Sequence, residues 1–154
     1  MGIRLKSLYY SENNVPYGIE IHDNELLSNP ARDFDMPISG APKLTYNNNE
    51  DSIFNPIITS SCSFTLWIEN GYHEALVTLL STSNEGRFFI KLYYMDGEEE
   101  VVLHIGNVLH DTISIEDSDN ATLTINSADP LIAFQGQEYK PVNPVGNVLD
   151  NARL

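Results

Sequence analysis

Arg87-Phe88-Phe89-Ile90-Lys91-Leu92-Tyr93-Tyr94, followed by Met95-Asp96-Gly97-Glu98 and then Val101-Val102-Leu103-His104-Ile105, is the stretch that decides the fold. Two runs rich in aromatic and β-branched residues flank an Asp-Gly pair, and glycine reaches φ > 0 at little steric cost. This pattern predicts two antiparallel strands joined by a tight turn, the second ending at Gly106. Working outward toward the C-terminus, Thr112 to Ile115 and Ala121 to Ile125 read as further strands, separated by the turn-rich Asp117-Ser118-Asp119-Asn120. Toward the N-terminus, Tyr17-Gly18-Ile19-Glu20-Ile21-His22 alternates apolar and polar residues as a half-buried strand does. Ser63-Phe64-Thr65-Leu66-Trp67-Ile68-Glu69 places Phe64, Leu66 and Ile68 on one face.

One segment has helical spacing. In Tyr72-His73-Glu74-Ala75-Leu76-Val77-Thr78-Leu79-Leu80, residues Tyr72, Leu76, Leu79 and Leu80 share a face, and Asn84-Glu85-Gly86 supplies a stop. A single short helix among several strands predicts a mainly β protein, an antiparallel β-barrel or sandwich capped by that helix. Residues 24–62 differ from the rest. They hold Pro30, Pro37, Pro42 and Pro56, half of the eight prolines, together with the run Asn47-Asn48-Asn49-Glu50-Asp51. They read as a long Pro-rich arm within a 1–138 domain, containing one short strand around Lys43 to Tyr46. Its apolar residues Phe34, Ile38, Phe54 and Ile57 are the candidate assembly contacts, expected to dock on the body or on a neighbour. Residues 139–154, polar and carrying Pro141 and Pro144, read as a C-terminal tail or linker.

Composition narrows the function classes. The chain has 154 residues, enough for one packed domain, with 42% apolar and 19% charged residues. No apolar run approaches the roughly 20 residues of a membrane span, and the N-terminus lacks the apolar stretch of a signal peptide. Twenty-two acidic residues against eight basic ones give a formal net charge of −14. That field repels phosphate backbones, so tight nucleic-acid binding is not expected, nor is attraction to an anionic membrane. Cys62 is the one cysteine, which rules out an intramolecular disulfide, and its Ser-Cys-Ser-Phe setting suits a small buried side chain.

Candidate chemistry is thin. His104 and His110 stand six residues apart with Gly106 between them, so a shared metal site is not expected. Glu116-Asp117-Ser118-Asp119-Asn120 has oxygen ligands but lacks the glycine and the distant bidentate glutamate of a calcium loop. Nucleophile elbow, phosphate-cradling glycine loop and a histidine beside a candidate serine or cysteine are all missing from the sequence. No catalytic residue, cofactor, metal or small-molecule substrate is expected. Sugar binding is the stronger rival to a structural role, since Trp67, Tyr93, Tyr94, Tyr9 and Tyr10 could present stacking faces on a β scaffold.

One ordered set of segments resembles a known group. Lys43-Leu44-Thr45-Tyr46 precedes Asp51-Ser52-Ile53-Phe54-Asn55-Pro56-Ile57-Ile58-Thr59-Ser60-Ser61, and a strand, a short leucine-rich helix and Glu85-Gly86-Arg87-Phe88 come next. Gly106-Asn107-Val108-Leu109-His110-Asp111 and Ala128-Asp129-Pro130-Leu131 complete the order. Over residues 42–132 this resembles tailed-phage tail-tip and baseplate structural proteins. Two departures stand out: Pro130 replaces a glycine and forbids φ > 0 there, and such proteins continue into further domains. The resemblance implies a tail-hub or distal-tail β-barrel module of the virion, made in the host cytoplasm. It would assemble as a homo-oligomeric ring with other tail proteins. A carbohydrate-binding module in host recognition is the alternative.

Overall fold

Among the described residues of the computed structural model nine elements succeed one another: β1 (Gly2–Tyr10), β2 (Pro16–Asp23), β3 (Lys43–Asn47), β4 (Thr59–Trp67), α1 (Gly71–Thr82), β5 (Phe88–Asp96), β6 (Glu99–Val108), β7 (Ser114–Glu116) and β8 (Thr122–Ala128). A 3-10 turn at His110–Thr112 precedes β7. The structure describes residues 2–26, 38–47, 58–69, 71–116 and 121–131. All pairings are antiparallel and build one eight-stranded sheet in the order β1-β2-β5-β6-β8-β4-β3, with β7 added to β8. The mainly β, antiparallel fold with a single helix is therefore the one the sequence predicts. Of the two predicted closures the barrel does not form, because β1 and β3 end the strand order without pairing to each other.

The Asp-Gly hairpin forms as predicted, with Gly97 at φ 65° and Asp96 opposite Glu99. The strand leaving this turn sets the architecture. β6 pairs with β5 from Glu99 to Asn107, runs past the predicted stop at Gly106, and lays Asn107 and Val108 against Ala128 and Ser127 of β8. The Leu109 amide then donates to the Asn126 carbonyl (2.9 Å), Asn126 Nδ2 donates to the Thr112 carbonyl (3.2 Å), and β7 completes the track along β8. The sheet thus divides into a half made of β1, β2, β5 and β6 and a half made of β8, β4 and β3. β6 is the strand that passes from one to the other, as strands do at the corners of β sandwiches.

Alternation fills the core from both halves. Leu5, Ile19, Ile21, Phe88 and Ile90 from the first half cluster with Phe64, Leu66, Leu123 and Ile125 from the second. Each such side chain contributes about 1.5–3 kcal/mol on burial. The helix is two residues longer at its C-terminal end than predicted and buries His73, Leu76, Val77 and Leu80, with Leu79 half-buried. The face is therefore set by the spacing 73, 76, 77, 80.

Three sequence expectations change. β1 is a nine-residue strand that the sequence does not announce. A register shift between Ile3 and Leu5 breaks its alternation, and the buried Ser7 occupies a core-side position. β2 is buried on both faces, since Glu20 and His22 are buried along with Ile19 and Ile21. Within residues 24–62 the short strand forms where expected, as β3 along β4, and Ile38 docks on the body by bridging Leu66; what changes is that Thr59 to Cys62 belong to β4.

The corner is tight. A Cβ placed on Gly106 would lie 2.5 Å from His104 Nε2 and 2.7 Å from the Ala128 carbonyl oxygen. Since one of these neighbours is backbone, Gly106→Ala is expected to lower stability by about 1–3 kcal/mol. The measurement is a reduced urea midpoint at unchanged slope.

Candidate functional site

Two places concentrate polar chemistry, and neither is visible as a sequence motif. The first is the corner itself. His104 on β6 is 2% exposed, with Nδ1 2.7 Å from Ser60 Oγ on β4 and Nε2 2.8 Å from Ser127 Oγ on β8. The Ser127 hydroxyl is directed at the Cys62 carbonyl (3.4 Å), so His104 Nε2 donates to Ser127 while Nδ1 accepts from Ser60. Burial pushes the His104 pKa down, against a smaller upward pull from Asp129. Sequence alone places no histidine beside a serine, whereas the fold brings this pair together across 44 residues.

The spacing is that of a base to a hydroxyl it could activate. However, Ser60 is 7% exposed, Ser127 is fully buried, and the second ring nitrogen faces a hydroxyl where an orienting carboxylate would stand. The arrangement is a three-strand clamp with every member satisfied. Cys62, beside it on β4, is also enclosed, and burial pushes its thiol up to about 11, which leaves it protonated at neutral pH.

The second place is the outer face of β1, β2, β5 and β6, the face turned away from the core. Register places Leu8, Gly18, Tyr93 and Val102 in one row across the four strands, and Lys6, Glu20, Lys91 and Ile105 in the next. Tyr93 covers Gly18 so closely that a Cβ there would lie 2.2 Å from its ring, and the Lys6 and Lys91 ammoniums stand 5.6 and 4.7 Å from the ring centre. Glu20, 4% exposed, takes Lys6 at 3.1 Å, His22 Nε2 at 2.9 Å and Lys91 at 3.9 Å, and Lys91 also pairs with Glu100. The His22 hydrogen bond, with help from Lys6 and Lys91, outweighs burial and holds the Glu20 carboxyl down at about 2.

At the end of β2 the buried Asp23 is gripped by Arg4 (2.8 Å) and Arg87 (3.0 Å). Burial pushes its carboxyl up, but the Arg87 hydrogen bond, the Glu25 amide and Arg4 more than offset this and hold it at about 2. Around the ionic row the apolar side chains remain in water: Leu8 is 52% exposed, Val102 46% and Ile105 51%.

The remaining predicted groups are dispersed over the fold. Ile38 packs against the chain's own core, and Phe34, Phe54 and Ile57 lie outside the described residues. The aromatic set does not form a flat platform. Tyr93 is buried, Trp67 is half-buried at the end of β4, and Tyr9 and Tyr94 turn toward Tyr17, at 5.4 Å stacked and 6.0 Å tilted. Tyr10 is well exposed. His104 sits in the core and His110 in the 3-10 turn, so they share no face; among the described residues no group of histidine, cysteine or carboxylates is placed to hold a metal. A shallow pocket of about 340 Å³ lies where β6 meets β8, walled by Val108, Leu109 and Pro130 and rimmed by Glu85, Asp111 and Asp129.

Compared with known proteins, the chain matches no family, no curated protein and no solved structure.

Two of the buried histidines, His73 and His104, give a pH dependence. His73 accepts the Glu69 amide at Nδ1 (3.0 Å), and burial lowers its pKa too, against a smaller pull from Glu69. A base whose folded pKa is depressed contributes stability that is complete above its unfolded value and is lost as pH falls below about 6.5. Glu20 and Asp23 act lower, their contribution being present above the ordinary carboxylate range and lost as pH falls toward about 2. The urea midpoint is therefore expected to fall as pH drops from about 7.5 to about 5.5. In His104→Gln, already less stable, the pH-dependent part is expected to be about half as large.

Proposed function

We propose that the chain is a non-catalytic structural module that works by assembly, as a subunit of a phage tail or baseplate ring or hub. Large apolar side chains left in water on both halves of the sheet carry this reading. On the first half these are Leu8, Val102 and Ile105; on the second, Tyr46 (57% exposed), Ile58 (58%) and Ile115 (51%). Single exposed residues of this kind are ordinary, but register puts the first three on one face, Leu8 on β1 and Val102 and Ile105 on β6, with Tyr93 and the ionic row between them. A ring needs two different complementary surfaces on each subunit, and apolar groups on both halves meet that requirement. The order of segments between residues 42 and 132 supports the phage-tail identity of the assembly.

The buried polar groups fit the same role. The His104 clamp and the Glu20 and Asp23 ion pairs are satisfied within the chain, so they hold the scaffold and leave recognition to its surfaces. A net charge of −14, repeated around a ring, would line a lumen along which DNA passes without sticking.

Light scattering on the purified chain, with negative-stain micrographs, tests the assembly. Oligomers or ring-shaped particles, or co-purification with tail proteins, are the expected outcome. A strict monomer that is retained on a glycan array, with retention lost in Trp67→Ala or Tyr94→Ala, overturns this reading in favour of carbohydrate binding.

A further inference from the structure

We infer that the outer face of β1, β2, β5 and β6 packs against the same face of a second copy of this chain. The inference rests on the assembly reading and adds to it the surface and its occupant.

Charge identifies the occupant. Two copies at −14 each repel one another over most of their surface. The outer face is the exception. Its charged side chains across the rows from Glu100 to Lys91 are two lysines, Lys6 and Lys91, and two glutamates, Glu20 and Glu100, all paired with one another. Four of the eight basic residues of the chain, Arg4, Lys6, Arg87 and Lys91, are held in ion pairs in this half of the sheet. The acidic excess lies outside these rows, at the exposed Asp96, Glu98 and Glu99 of the hairpin beside them and over the rest of the chain. A basic partner would be drawn to that acidic remainder and would gain nothing from a locally neutral face. A second copy is the acidic partner that can approach here without opposing charge.

The geometry suits a face-to-face contact. Leu8, Val102 and Ile105 flank the ionic row and are about half in water, so they have apolar area left to bury. The charges they surround are already neutralised, so closing a second sheet over them strands no unpaired ion. Sheets packed face to face stand about 10 Å apart, which lets such side chains interdigitate. Four strands give a width of about 19 Å, and the outward rows extend for about 25 Å along them, so the footprint is a few hundred Å² per copy. That is at the small end for protein contacts and makes the pairing weak and reversible. Because each copy uses the same surface, the contact closes on a pair.

Sedimentation equilibrium of the full chain over a range of concentrations, at about 0.05 M and about 0.5 M salt, tests this. The expected result is a concentration-dependent monomer–dimer equilibrium that tightens with salt, because screening removes the repulsion between the acidic bodies. Ile105→Asp is expected to weaken it at least tenfold, and the milder Ile105→Thr and Leu8→Ser to weaken it less. Both positions are exposed, so the urea midpoints of the milder variants should match the parent. Assembly that persists unchanged in all three variants overturns this inference and leaves the assembly reading standing. Association that weakens with salt overturns it as well, since an opposite-charge contact would then be at work. A chain that stays monomeric throughout overturns both.

Discussion

The fold depends on one crossing. β6 begins inside the four-stranded half and ends hydrogen-bonded to β8 in the other, and only Asn107 and Val108 make the ladder there. Two ladder positions are a slender joint for two sheet halves. What reinforces them is a buried histidine whose two nitrogens reach serines on β4 and β8 at once, beside a glycine that lets the backbones close. A buried imidazole with both nitrogens engaged is worth more than either bond alone, because removing either partner strands a polar atom away from water. His110 bonds the Leu80 carbonyl through Nδ1 alone, which ties the 3-10 turn to the helix while its buried Nε2 has no partner among the described residues.

β2 shows a second constraint. A strand between two neighbours, with the core on one side, usually shows water its other side. Here the other side is closed by an aromatic ring and by charge: Tyr93 lies on Gly18, and the Lys6 and Lys91 ammoniums stand over the ring and reach Glu20. Asp23 repeats the arrangement with two arginines at the strand's end. These pairs bury carboxylates at the cost of desolvation, and the double engagement of each carboxylate is what makes that cost tolerable.

Local pattern made most of the elements legible. Asp96-Gly97 announced the hairpin because a two-residue turn is decided by its own φ angles, and β4, β5 and α1 announced themselves by spacing. β1 stayed hidden because its bulge shifts the alternation between Ile3 and Leu5 and because Ser7 holds a core-side position. The clamp stayed hidden for a different reason: Ser60, His104 and Ser127 meet only through strand order, which no local period encodes. The ionic row lay between these extremes. Lys6, Glu20 and Lys91 carry alternating sign on three strands, a signal that becomes readable once the pairing of those strands is known.

Charge and symmetry together limit what such a module can build. A chain this acidic meets its copies at a penalty unless contact is confined to surfaces where the acids are already paired, and the strand that buries Glu20 and Asp23 creates one such surface as a by-product of its own stability. A contact of that surface with itself is closed by a two-fold axis and cannot propagate into a ring. If the chain assembles beyond such a pair, the contacts would have to draw on the other half of the sheet, where Tyr46, Ile58 and Ile115 remain in water. The crossing of β6 joins the halves that carry those two surfaces. A change at His104 or Gly106 would then act on assembly by moving the halves, without touching either contact.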